Sequence, residues 1–181
     1  MQKLEIEKKF IVKFTSWNDV FQLFDNTTTI KRIEQIYLKA IKGDPAARIR
    51  KTVEGFKNKK TYFDINQKKP AGTAANREKE KKISEEEFDK LFKHKDPSKN
   101  LIKKTRIVFK FKDQVFELDI FKEHLQGLII LEIELEDKDQ KVNLPPYLKV
   151  IKEVTEEDKY NNYHLSDKKV KGYKNGNLIK S

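Results

Sequence analysis

The chain has 181 residues, enough for one domain with a proper core. It carries 40 Lys+Arg against 29 Asp+Glu, a net charge of +11, which favours anionic partners in general terms; nucleic acid is not the expected one, because the lysines are scattered along the whole chain. The absence of cysteine excludes disulfides, thiolate metal sites and a cysteine nucleophile, and no run approaches the roughly 18 apolar residues of a membrane span. With no secretory leader at the start, a soluble cytoplasmic protein that makes no membrane contact is expected.

In chain order, period-two alternation predicts strands near residues 4–13, 33–41, 46–53, 60–68, 76–83, 101–112, 114–121 and 128–136. After the first, Ser16 reads as an N-cap with Trp17, Val20, Phe21 and Phe24 as an apolar helical stripe. Tight hairpins are expected at Gly43-Asp44-Pro45 and Lys112-Asp113-Gln114. Residues 69–76, with Pro70 and Gly72, read as a mobile loop. Ser84 with Glu87 forms a capping box ahead of Phe88, Leu91 and Phe92. Pro145-Pro146 breaks the chain, Thr155 with Asp158 heads a last short helix through Tyr160 and Tyr163, and the lysine-rich stretch 167–181 reads as a loosely held tail after a domain spanning 1–166. Eight strands in consecutive hairpins suggest an α+β fold, an eight-stranded antiparallel β-barrel with helices packed outside.

The charge pattern along these strands is more informative than their number. Residues two apart on a strand share a face, so Glu5, Glu7 and Lys9 point one way while Leu4, Ile6, Lys8 and Phe10 point the other. The same parity joins Arg48 to Arg50, Asn66 to Lys68, Glu78 to Glu80, Lys104 to Arg106, Glu117 to Asp119 and Glu132 to Glu134. Carboxylates suit Mg²⁺ or Mn²⁺, and arginine and lysine clamp phosphate oxygens. Both sets on facing walls suit a metal-bound polyphosphate. The competing reading is a set of half-buried strands with their charged faces in water, and parity alone does not say which face is enclosed.

Glu5-Ile6-Glu7-Lys8-Lys9 resembles the Glu-x-Glu-x-Lys hallmark of the CYTH proteins, also called triphosphate tunnel metalloenzymes. Further similar motifs follow in order: Gln35 to Leu38, Arg48 and Arg50, Lys104 and Arg106, Glu117 to Phe121, Gly127-Leu128 leading into Glu132 and Glu134, and Glu153 to Thr155 with Lys159 to Asn162. The resemblance implies an eight-stranded tunnel and a divalent-metal-dependent triphosphatase, with Mg²⁺ or Mn²⁺ as cofactor and a small-molecule triphosphate as partner; a homodimer is compatible with it. It implies Glu5, Glu7, Asp119, Glu132 and Glu134 as the metal set and Lys9, Arg48, Arg50, Lys68, Lys104 and Arg106 as phosphate binders. Lys9 would also assist the leaving group, and Tyr37 would position the water or leaving group. Inorganic tripolyphosphate is the expected substrate; thiamine triphosphate hydrolysis, class IV adenylate cyclisation of ATP and non-catalytic binding of polyphosphate or RNA are the rivals. The chain departs from the family pattern in having Asn66-Gln67-Lys68 for Thr-x-Lys, and Asn76 beside Arg77 where an arginine precedes the fifth strand's acids, a place that a one-residue bulge would restore to Arg77.

Overall fold

Alternation of apolar and charged residues dictates a sheet with one dry face and one polar face, and that is the frame of the molecule. The computed structural model describes residues 6–40, 47–71, 75–137, 139–174 and 177–180, with backbone alone at Trp17, 67–71 and 75–79. Each of the eight expected strands forms: β1 (Ile6–Lys13), β2 (Thr29–Tyr37), β3 (Ala47–Glu54), β4 (Lys60–Ala71), β5 (Ala75–Lys82), β6 (Ile102–Phe111), β7 (Gln114–Phe121) and β8 (Ile129–Leu135). A ninth, β9 (Lys149–Glu153), joins them in one antiparallel sheet of order β5-β4-β3-β2-β6-β7-β8-β1-β9.

This sheet departs from the closed eight-stranded barrel. Among the described residues no pairing joins β5 to the far edge, because β9 pairs antiparallel with β1, from Phe10↔Glu153 to Lys13↔Lys149. The edge that closure would have used is occupied. The segment expected as a loop at 69–76 is largely strand: β4 runs to Ala71 and β5 resumes at Ala75. Their register is unbroken through Lys69↔Arg77, so the bulge that would have restored an arginine to the inner face is absent. The β6–β7 hairpin turns at Lys112 and Asp113, both at positive φ (47° and 61°), which gives the two-residue turn that a right-twisted ribbon prefers. The other expected hairpin, at Gly43-Asp44-Pro45, lies outside the described residues.

Helices are few. α1 (Trp17–Phe21) is capped reciprocally by Ser16 and Asp19, as the sequence suggests, but lasts five residues and leaves Phe21 and Phe24 exposed rather than buried. α2 (Glu85–Phe92) has its Glu87 amide donating to Ser84 Oγ at 3.1 Å, and packs Phe88 on Phe63 outside β4. Thr155 does not cap the last helix. A 3-10 turn (Asp158–Tyr160) precedes α3 (Asn162–Leu165), whose cap is Asn161, accepting from the His164 amide. The stretch from 167 is not loosely held where it is described: β10 (Val170–Lys174) and β11 (Asn177–Lys180) pair, and Val170 is buried. No described helix is long and apolar enough to cross a membrane.

Two of the three apolar clusters define the site. Outside the sheet, Phe10, Ile107, Phe109, Phe116, Leu118, Leu131 and Ile133 form a dry layer covered by Leu23 and Leu148. On the opposite face the strands change character midway. Lys9, Arg106, Asp119 and Glu132 are followed two residues along the same face by Ile11, Lys104 then Ile102, Phe121 and Ile130. These apolar ends pack with Val154, Tyr160, Leu165 and Val170. The inner face is therefore charged at one end and plugged by the C-terminal segment at the other.

Candidate functional site

Strand register carries the charged residues of eight strands onto one wall-to-wall surface. From one side, Glu80 on β5 lies opposite Asn66 on β4, Asn66 opposite Arg48 on β3, and Arg48 opposite Tyr37 on β2. From the other, Glu7 and Lys9 on β1 lie opposite Glu134 and Glu132 on β8, and Glu132 opposite Glu117 on β7. Both sets line one cavity of about 690 Å³, roofed at one end by Val154 to Tyr163. The charged face thus lines this cavity, with Lys104 and Asp119 buried while Glu7, Glu80 and Glu134 remain exposed. The cavity has the size of a small-molecule site.

At the floor sits a buried charge cluster. Asp119, 1% exposed, accepts from Arg106 Nε at 2.7 Å through Oδ1, and from Lys104 Nζ at 2.5 Å and Arg106 Nη2 at 2.6 Å through Oδ2. Arg106 reaches onward to Glu117 and to Glu132 (3.0 Å). Burial works to raise the Asp119 carboxyl, but Lys104 and Arg106 outweigh it and hold the group down to about 2. Burial, against the pull of Asp119, sets the Lys104 ammonium below the ordinary lysine value. Burial also opposes the Arg106 charge, and Asp119, Glu117 and Glu132 more than offset it. Asp119 thus has both oxygens on cations of the chain and braces Arg106, while Lys104, which also lines the cavity, is its ion-pair partner.

The outer acidic wall is different. Lys9 Nζ bridges Glu7 (2.9 Å) and Glu132 (3.6 Å), and although burial lowers it, these two carboxylates raise it further and keep it an ammonium. Glu7 faces Glu134 directly across β1 and β8, a like-charge pair that is destabilising without a cation between. Glu134 has no ion pair among the described residues. Among the described residues no three acidic or imidazole groups converge to hold a metal as they stand. Glu5, two residues before Glu7, lies outside the described residues. Unmatched carboxylate oxygens at the cavity edge, opposite arginines, nonetheless fit a hard dication that completes its shell with water and phosphate.

The basic wall is built on β3. Asp64, which sequence reasoning missed, accepts from Arg50 Nε at 2.9 Å and leaves the guanidinium edge toward the cavity, where Nη2 lies 3.4 Å from Glu80. Strand parity from Asn66 back to Asp64 would have found it. Gln35, also missed as a site residue, donates to the Tyr37 hydroxyl at 3.0 Å, and Arg48 bonds the same oxygen. Burial pushes Tyr37 up to about 12, so at neutral pH it is a phenol and a hydrogen-bond donor, not a base. The C-terminal segment adds two groups that the sequence points to as helix residues rather than as site residues. Thr155 Oγ1 accepts from the Lys9 amide (3.2 Å), and Tyr163 packs edge-on against Tyr37 at 5.1 Å and lines the cavity. The Lys68 side chain lies outside the description.

The CYTH domain family model matches residues 3–167. The solved structure of the inorganic triphosphatase NE1496 is 27% identical, covers 90% of this chain and 93% of that one, and superposes with a TM-score of 0.59. A second structure of NE1496, described as a hypothetical protein, gives the same identity and TM-score and covers 90% and 96%. Among curated proteins, none matches the chain.

Proposed function

This chain belongs to the CYTH domain family, and we propose that its cavity binds a triphosphate together with divalent cations and hydrolyses a terminal phosphoanhydride, with inorganic tripolyphosphate as the substrate. The observation that carries this reading is that Arg48 and Arg50 line one cavity together with Glu7, Glu132 and Glu134. Carboxylates alone would repel a polyanion, and arginines alone would not need them. The inorganic triphosphatase NE1496, similar over most of both chains, supports the substrate class.

In this reading Glu7, Glu132 and Glu134, with Glu5, hold Mg²⁺ or Mn²⁺, and Asp119 and Lys104 hold their wall in shape. The bound ion supplies charge neutralisation on the phosphate oxygens and a more acidic water. Arg48 and Arg50 bind and orient the phosphate chain, Arg50 being aimed by Asp64. Lys68 would extend the same basic wall. Lys9, kept protonated by Glu132 and Glu7, places a fixed ammonium where charge develops on the leaving oxygen. Tyr37 would position the water or leaving group by donating a hydrogen bond to it. Water is excluded from the plugged end by Ile11, Phe121 and Ile130 with Leu165 and Val170.

The substrate assignment is tested by phosphate release from tripolyphosphate, thiamine triphosphate and ATP with Mg²⁺ or Mn²⁺. Tripolyphosphate is expected to be turned over best; cyclic AMP and pyrophosphate from ATP would instead identify a cyclase. Arg50→Ala is expected to raise KM about tenfold or more with a smaller change in kcat, since it removes a charged contact made in ground and transition states alike. Unchanged KM and kcat would remove Arg50 from the site.

A further inference from the structure

We infer that Asn66 is a substrate-contacting residue whose carboxamide takes a phosphate oxygen and an adjacent O–H group at once, a proposal that rests on the triphosphate reading of the cavity. Asn66 is 1% exposed and lines the cavity, yet neither its Oδ1 nor its Nδ2 has a hydrogen-bond partner among the described residues. Buried side-chain amides nearly always satisfy both ends, because leaving either unpaired is destabilising. A structural asparagine here would bond to a neighbouring strand. Its cross-strand neighbours are Arg48 and Glu80, in the row that begins at Tyr37, so it stands between the basic wall and the β5 acids. Two residues earlier on the same face, Asp64 gives Oδ2 to Arg50 while its buried Oδ1 is also without a partner.

The unmet groups specify a ligand. The two Nδ2 hydrogens need an acceptor, which a phosphate oxygen supplies. Oδ1 needs a donor, and a deprotonated triphosphate has none. The donor is therefore an O–H held against the phosphate: a water at the terminal phosphorus, or a hydroxyl on an organic part of the substrate. A threonine in this place would offer one short hydroxyl, whereas the carboxamide offers a donor and an acceptor on separate atoms.

The test pairs Asn66→Leu, close in volume and without polar atoms, with Asn66→Asp, which keeps an acceptor and replaces the donor with charge. Thermal melting of the ligand-free proteins is measured beside kinetics on tripolyphosphate and ATP, with binding of each by calorimetry. Ligand-free Asn66→Leu is expected to melt no lower than the parent, and up to about 2–4 °C higher, because an unpaired buried amide has been removed. Its kcat/KM is expected to fall about tenfold or more, and that of Asn66→Asp further, chiefly through KM. An equal loss on both substrates assigns the O–H to water; a loss confined to ATP assigns it to a sugar hydroxyl. A lower melting temperature in Asn66→Leu, or kcat/KM equal to the parent on both substrates, overturns the proposal. A parent chain that neither binds nor turns over either compound removes the triphosphate reading itself, and this proposal with it.

Discussion

Asp119→Asn is expected to destabilise the protein by about 3–5 kcal/mol, because it leaves two buried cations without their shared counter-ion. Lys104 is 3% exposed and its ammonium lies 2.5 Å from Asp119, so neither water nor another acid takes the place of the lost charge there. For a chain of this size that is a fall in melting temperature of about 10 °C, readable by calorimetry. The pH dependence has a definite sign. The Asp119 carboxyl is held at about 2, below its ordinary 3.8. A depressed carboxylate contributes stability that is complete above its unfolded value and is lost as pH falls through the folded one. The gap between parent and Asp119→Asn should therefore be constant above about pH 4 and narrow between pH 4 and 2, by an amount on the order of 2 kcal/mol. If Asp119 is instead a metal ligand, its asparagine variant keeps its metal-free stability and loses only metal affinity.

Glu7→Gln is expected to abolish turnover while leaving the fold intact. The amide keeps the shape of the side chain and an oxygen for Lys9, which lies 2.9 Å away in the parent. It removes a negative charge directly across from Glu134. Relief of that like-charge pair should leave metal-free stability unchanged or slightly higher. Activity should fall by more than about a hundredfold, since even the outer partners of a metal's ligands are worth 10–100-fold. The two variants therefore separate: Asp119 is read out in melting temperature and Glu7 in rate. A Glu7→Gln protein with most of its activity would take Glu7 off the metal edge.

The sequence makes the charged strands legible because their alternation is uninterrupted. Glu7, Lys9, Arg48, Arg50, Glu132 and Glu134 reach the cavity by parity alone. Parity could not assign partners, so the pairing of Asp119 with Lys104 and Arg106 was not legible in it. Which carboxylate stays open to a ligand depends on depth, and depth is fixed where the inner face turns apolar at Ile102, Phe121 and Ile130. β9 was invisible because Lys149, Val150, Ile151 and Lys152 do not alternate, and its place is set by the free edge of β1. The barrel expectation failed with it. Residues 167–180 read as a tail because lysine and glycine dominate; one buried residue, Val170, suffices to anchor the β10–β11 hairpin on the plug. Thr155 and Tyr163 read in the sequence only as helix residues and are brought to the site by the return of the chain over Lys9, where the Val154 amide donates to the Lys9 carbonyl at 2.8 Å.

The most direct test of the opposed-wall account is calorimetric titration of tripolyphosphate into the protein with Mg²⁺, with Mn²⁺ and with EDTA, at one fixed ionic strength. The account predicts tight binding with either ion, loss of binding in EDTA, and recovery when the ion is restored, because Glu7, Glu132 and Glu134 repel the anion until a dication stands between them. Binding in EDTA as tight as with Mg²⁺, weakened only by raising salt, would contradict it and leave a simple basic groove in its place.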